Sequence, residues 1–335
     1  MSRILSLTLR TGVAALGLVA ASAFAQNAIC YNCPTEWADW GTQLKAIKAK
    51  TGITIPPDNK NSGQSLAQLV AEKASPVADV TYLGVTFAIQ AQKDGVVQPY
   101  KPAAWNDIPD GLKDPQGNWF TIHSGTLGFM VNVDALKGKP IPKSWKDLTN
   151  PIYKGRIVMP NPASSGTGYL DVTGWILMMG EADAWKYMDG LHANVAQYTH
   201  SGSKPCRQAG AGEFPIGISF EYRAVTTKKS GAPIDIIFPT EGLGWDLEAS
   251  GIMKTTKKLD AAKSLMNWLA TPGAMELFSK NFAVVAIPGI AKPMEFIPAD
   301  YEARLVKNDF AWSAKNRDKI IAEWMKRYDA KSEPK

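Results

Sequence analysis

The chain has 335 residues, of which 45% are hydrophobic, 20% charged and 10% aromatic, with a formal net charge of +6. Its 11 Trp, 11 Phe and 10 Tyr supply enough apolar surface to offset the entropy of ordering, which excludes a disordered class. Its 28 Gly and 22 Pro follow no regular repeat, which excludes collagen and heptad proteins, and chains of this length usually divide into two lobes.

In chain order, residues 1–25 read as a secretory signal: Arg3 and Arg10 are followed by a short apolar stretch at 11–20 and then by the cleavage pattern Ala23-Phe24-Ala25. Cleavage is expected after Ala25; the stretch is too short to be a good membrane span, and no later segment is long and apolar enough to be one. A strand start at 28–31 precedes a helix expected to be capped by Thr35, with Trp37, Trp40, Leu44 and Ile47 on one stripe. Strands follow at 53–55, 77–83 and 96–97, with a helix opened by Ser62 between the first two. Two more β-prone runs occupy 120–122 and 126–133. A second series has strands at 156–159, 195–198, 215–220 and 234–238, and helices at about 169–179 and 181–191. The last third is mostly helical, over 261–270, 274–281 and 318–328. Such alternation implies an α/β fold with largely parallel pairing.

Export would place Cys30, Cys33 and Cys206 in an oxidising compartment. Cys30-Tyr31-Asn32-Cys33 has the spacing of a redox motif, so an exported thiol oxidoreductase is one alternative. A structural disulfide with one free thiol is the plainer expectation, and three pairings are open. No cofactor and no metal are expected, since only three His are present and no ligand spacing repeats. There is no P-loop Lys, no G-x-S-x-G and no H-E-x-x-H to anchor a nucleotide or hydrolase function.

The informative positions are helix starts. Asn61-Ser62-Gly63-Gln64-Ser65, the run Ala163-Ser164-Ser165-Gly166-Thr167-Gly168, and His200-Ser201-Gly202-Ser203 each set small or hydroxyl residues before a helical pattern. A helix start offers unpaired N–H groups and the positive end of the macrodipole, Gly admits close approach, and hydroxyls add donors. That combination binds anions without a metal, although Ser is also simply a good cap.

The blocks Gly128–Asp134, Ser144–Leu148, Tyr153–Pro160 and Ser164–Tyr169 occur in order, with Ala78-Asp79-Val80 before them and Pro239–Gly242 after. In these the chain resembles the periplasmic solute-binding proteins of ABC importers, most closely the branch of ferric-ion, hexose-phosphate and 2-aminoethylphosphonate binders. The resemblance implies the two-lobed type II binding-protein fold, with mixed sheets flanked by helices and a two-segment hinge. The signal would occupy 1–25, one lobe 26–131 plus 238–335, and the other 132–237. It implies a periplasmic, monomeric, non-enzymatic protein that holds a small anionic or zwitterionic ligand between the lobes and serves an ABC permease; no nucleic-acid partner is expected.

Departures within that branch narrow the ligand. Ferric binders use adjacent tyrosines, whereas the stretch 218–223 offers only Tyr222 beside Glu221. Hexose-phosphate binders tend to carry an acid after the His that begins the next helix, and here Ser201 follows His200. The run 200–205 looks closer to the 2-aminoethylphosphonate type. The expected anion contacts are Ser62, Ser164, Ser165, Gly166, Thr167, His200 and Ser201. Glu36 with Trp37 and Trp40, or Glu221, would take an ammonium group; Thr126, Tyr222 and Asp246 complete the expected set. A polyamine or ferric-ion binder of the same fold is the alternative.

Overall fold

The computed structural model describes residues 27–35, 39–282 and 284–334; the expected signal, Glu36 and Trp37 lie outside the described residues. The strands are β1 (Cys30–Tyr31), β2 (Val80–Gly84), β3 (Val97–Gln98), β4 (Phe120–Asn132), β5 (Ile157–Pro160), β6 (Val195–Thr199), β7 (Ile216–Phe220), β8 (Ile234–Ile237) and β9 (Trp245–Met253). The helices are α1 (Trp40–Thr51), α2 (Ser62–Ala71), α3 (Val85–Lys93), α4 (Gly166–Met179), α5 (Glu181–Asn194), α6 (Lys204–Gly210), α7 (Glu221–Lys229), α8 (Leu259–Leu269), α9 (Pro272–Phe278) and α10 (Phe310–Tyr328).

The strand order is β1-β2-β9-β4-β7-β5-β6, with β3 beside β9 and β8 beside β4. Pairing is parallel at β1–β2, β5–β6 and β5–β7, and antiparallel wherever β4 or β9 takes part. The sheet is therefore mixed, as the resemblance implies, and not the largely parallel one that alternation suggests. Parallel neighbours need a long crossover, usually a helix. β4 and β9 are instead entered through α-helix-free segments, 99–119 and 238–244.

β4 joins the two lobes. Its residues Phe120–Thr126 run against β9, and from Leu127 onward it runs against β7 and β8. The second connection returns from β8 through 238–244 into β9. All 13 residues of β4 are buried, so His123, Ser124 and Gly125, which break the apolar run in sequence, lie inside a continuous strand. Three elements had no expected counterpart. β9 carries Asp246 and Glu248 within an otherwise apolar run, α3 follows β2 without a polar break, and α7 begins directly after β7.

Two large cores hold the fold, and the larger of them takes residues from both lobes. One surrounds Trp40, Phe120, Leu265 and Phe278; the other runs from Leu69 and Phe87 through Phe129, Trp145 and Trp175 to Trp324. Each such fully buried side chain contributes about 1.5–3 kcal/mol. α10 packs Trp324 edge-on to Tyr198 of β6, with centroids 4.8 Å apart, while Arg317 lies 4.7 Å over the Phe87 ring of α3. Cys30 and Cys33 form a disulfide and both are fully buried. Cys206 is a buried free thiol, pushed up to about 11 by burial. Among the described residues no helix is long and apolar enough to cross a membrane.

Candidate functional site

Two helix starts from opposite lobes face each other across the cleft. Asn61 caps α2: its Oδ1 accepts from the Gln64 N–H at 2.8 Å, and Gln64 Oε1 accepts from the Asn61 N–H at 3.3 Å, a reciprocal capping box. Ser165 caps α4, its Oγ accepting from the Gly168 N–H at 3.4 Å. The approach needs glycine, because a Cβ on Gly63 would sit 2.8 Å from the Ser164 carbonyl oxygen. The third turn, after β6, closes on the same place. A Cβ on Gly202 would stand 2.1 Å from Thr167 Oγ1, and the Gly202 carbonyl accepts from Ser219 Oγ at 2.7 Å.

These turns form one wall of a cavity of about 270 Å³. Ser62, Ser165, Gly166, Thr167, His200 and Ser201 line it, together with Tyr222 on the opposite side. Sequence reasoning thus placed seven of its residues on the cavity. Four of the other five are described and are not on the lining. Ser164 sits behind the wall, its Oγ 2.8 Å from His200 Nδ1. Glu221 is 2% exposed and does not line the cavity; its Oε2 accepts from the Thr126 N–H at 2.6 Å. Thr126 and Glu221 therefore serve the junction of β4 with α7. Asp246 is also behind the lining, accepting from the Leu247 N–H at 2.8 Å. Glu36 lies outside the described residues.

Of the carboxyls on β9 it is Glu248 that reaches the cavity, and Glu333 from the C-terminal segment lines it as well. Alternation along a strand puts Asp246 and Glu248 on the same face, and the depth of the cleft decides between them. Burial, and then the Asp246 charge, push Glu248 up to about 8; burial pushes Asp246 to about 7 and Glu221 to about 8. Beside Glu248 stands a stack of rings. Phe282 is 3.6 Å from His123 and 4.7 Å from Tyr222, centroid to centroid, at interplanar angles of 22° and 21°. His123 is held neutral, pushed down to about 3 by burial. Its Nδ1–H donates to the Ser124 carbonyl at 3.3 Å, so Nε2 accepts from the Tyr82 hydroxyl at 2.8 Å.

Sequence reasoning missed Arg223, Phe282 and Glu333 on the lining, and it named Asn61 and Gln64 within the first turn without counting them as contacts. Asn61 and Gln64 were legible as a capping pair; Phe282 and Glu333 carry no local signal. Chemically, the cavity offers N–H and hydroxyl donors together with two carboxyls, an arginine and aromatic faces. Among the described residues no group of three or more His, Cys, Asp or Glu is placed to hold a metal ion.

Comparison with known proteins fits this architecture. The family model for bacterial extracellular solute-binding proteins matches residues 75–312. An uncharacterised protein of Haemophilus influenzae is 32% identical over 96% of both chains. The spermidine/putrescine-binding periplasmic protein of Escherichia coli is 25% identical over 79% of this chain and 78% of its own. The periplasmic binding protein AfuA from Actinobacillus pleuropneumoniae, solved with fructose-6-phosphate bound, superposes with a TM-score of 0.84 at 29% identity. That match covers 91% of this chain and 99% of AfuA.

Proposed function

The chain belongs to the bacterial extracellular solute-binding proteins, and on that premise we propose that it captures a small organophosphate or phosphonate between its lobes for an ABC permease. We take the lobes as 26–131 plus 238–335 and 132–237, with β4 and the segment before β9 as the hinge, and the protein as a periplasmic monomer that performs no chemistry on its ligand. The observation that carries this reading is the convergence of the α2 and α4 starts with the 200–203 turn on one cavity wall. Ser62, Ser165, Gly166, Thr167 and Ser201 would hold the anion through N–H and hydroxyl donors.

The opposite end supports an amine. Glu248 beside the faces of Tyr222 and Phe282 suits an ammonium group, by charge pairing and cation–π attraction. 2-Aminoethylphosphonate satisfies both ends. A polyamine would leave the donor wall unpaired, and free phosphate would leave Glu248 facing it. A hexose phosphate is the second reading, favoured by the likeness to AfuA and by Asn32, Asn61 and Gln64 on the lining, whose amides suit sugar hydroxyls. The thiol-oxidoreductase alternative loses support because neither Cys30 nor Cys33 is exposed to a partner.

Calorimetry of the purified protein against 2-aminoethylphosphonate, fructose 6-phosphate, inorganic phosphate and spermidine tests the proposal. Tightest binding is expected for 2-aminoethylphosphonate. Binding of spermidine alone would overturn the organophosphate reading.

A further inference from the structure

The chain beyond α10 turns back to the cavity. The Glu333 N–H donates to the Tyr198 carbonyl at 2.9 Å, and Asn161 Nδ2 donates to Ser332 Oγ at 2.8 Å. Glu333, which lines the cavity, spends its acceptors on the turn after β6. Oε1 accepts from the His200 N–H at 2.6 Å, the backbone oxygen of residue 333 is 3.0 Å from His200 Nε2, and Oε2 pairs with Lys204 Nζ. A carbonyl can only accept, so Nε2 carries the ring proton. In the neutral ring Nδ1 is then an acceptor, and the Ser164 hydroxyl donates to it at 2.8 Å. Ser164 immediately precedes the cap of α4.

We propose that Glu333 is a positioning residue of the ligand cavity, fixing the tautomer and ring orientation of His200 and, through the His200–Ser164 bond, the turn that begins α4. The link to ligand affinity rests on the organophosphate reading; the link to His200 does not. Without residue 333 the His200 backbone N–H and Nε2–H both lose their acceptors, the ring is free to turn, and Ser164 is released; E333A removes the acceptor of the backbone N–H and keeps that of Nε2. Removing a carboxylate from an anion site should by electrostatics alone tighten anion binding. A weakening therefore reports lost positioning.

The test compares E333Q, E333A and a chain ending at Lys331 with the unaltered protein. Imidazole ¹⁵N spectra report the tautomer, and calorimetry uses 2-aminoethylphosphonate as the probe. The unaltered protein and E333Q should show His200 protonated at Nε2 only. The shortened chain should show mixed tautomers and bind the probe at least tenfold more weakly, with E333A between. An unchanged His200 spectrum in the shortened chain, or a changed spectrum with affinity within twofold, overturns the proposal. Failure of the unaltered protein to bind any phosphonate or phosphate counts against the ligand reading alone, and the His200 spectrum then decides this one.

Discussion

Asn61 and His200 meet across the cleft: Asn61 Nδ2 donates to the His200 carbonyl at 3.2 Å while its Oδ1 caps α2. One amide thus ties the first lobe to the second with the group not needed for the cap. N61D keeps the capping oxygen and removes the donor. It should keep the cap of α2 and weaken anion binding by more than the roughly 1 kcal/mol net worth of one hydrogen bond, because it also sets a carboxylate on the lining. Small-angle scattering should show a ligand-dependent decrease in radius that is smaller in N61D; equal contraction in both proteins would count against the bond as a closure contact.

Ser165 and Thr167 should separate stability from binding. Ser165 is 1% exposed and caps α4, so S165A should cost about 1 kcal/mol of ligand-free stability. Thr167 caps nothing, so T167A should weaken anion binding by roughly 1–3 kcal/mol with little loss of stability. Urea unfolding and calorimetry on both variants would check this, and the reverse pattern would place the anion elsewhere.

Glu248 should distinguish ligands by charge. Burial and then the Asp246 charge push it up to about 8, so most of the population is protonated at pH 7. An arriving ammonium group favours the carboxylate, so 2-aminoethylphosphonate should release more protons on binding than methylphosphonate, whose release comes from its own second ionisation alone. Calorimetry in buffers of different ionisation enthalpy reads this directly. E248Q should lose most of the preference for the aminated ligand while still binding methylphosphonate.

The buried carboxyls also set a pH dependence of folding. Glu221 and Glu248 stand near 8 and Asp246 near 7, above their ordinary values of 4.5 and 3.8. The folded protein therefore holds protons that the unfolded chain gives up from about pH 4 upward. Their contribution is fully present below pH 4 and is lost as pH rises through 7 to 8. Between pH 5.5 and 8.5 the ligand-free protein should lose stability on the order of a few kcal/mol. E221Q and D246N should flatten that slope in urea titrations, and a slope unaltered in both would show that other groups carry it.

The α/β class and the residues of the donor wall are legible in the order of amino acids alone. Caps and glycine turns are local: Asn61 with Gln64 and Ser165 with Gly168 interact three residues apart, so their chemistry is visible in a short window. Tertiary structure decided the opposite end. Glu221, Asp246 and Glu248 are alike in sequence, yet only Glu248 faces the cavity, because pairing of β9 with β2 and β4 sets its depth and the start of α7 consumes Glu221. The same holds for Ser164, turned behind the wall by His200, and for Glu333, brought to that histidine from 133 residues away by the packing of α10. No local pattern encodes such contacts, since they depend on which faces of distant elements the two cores bury together.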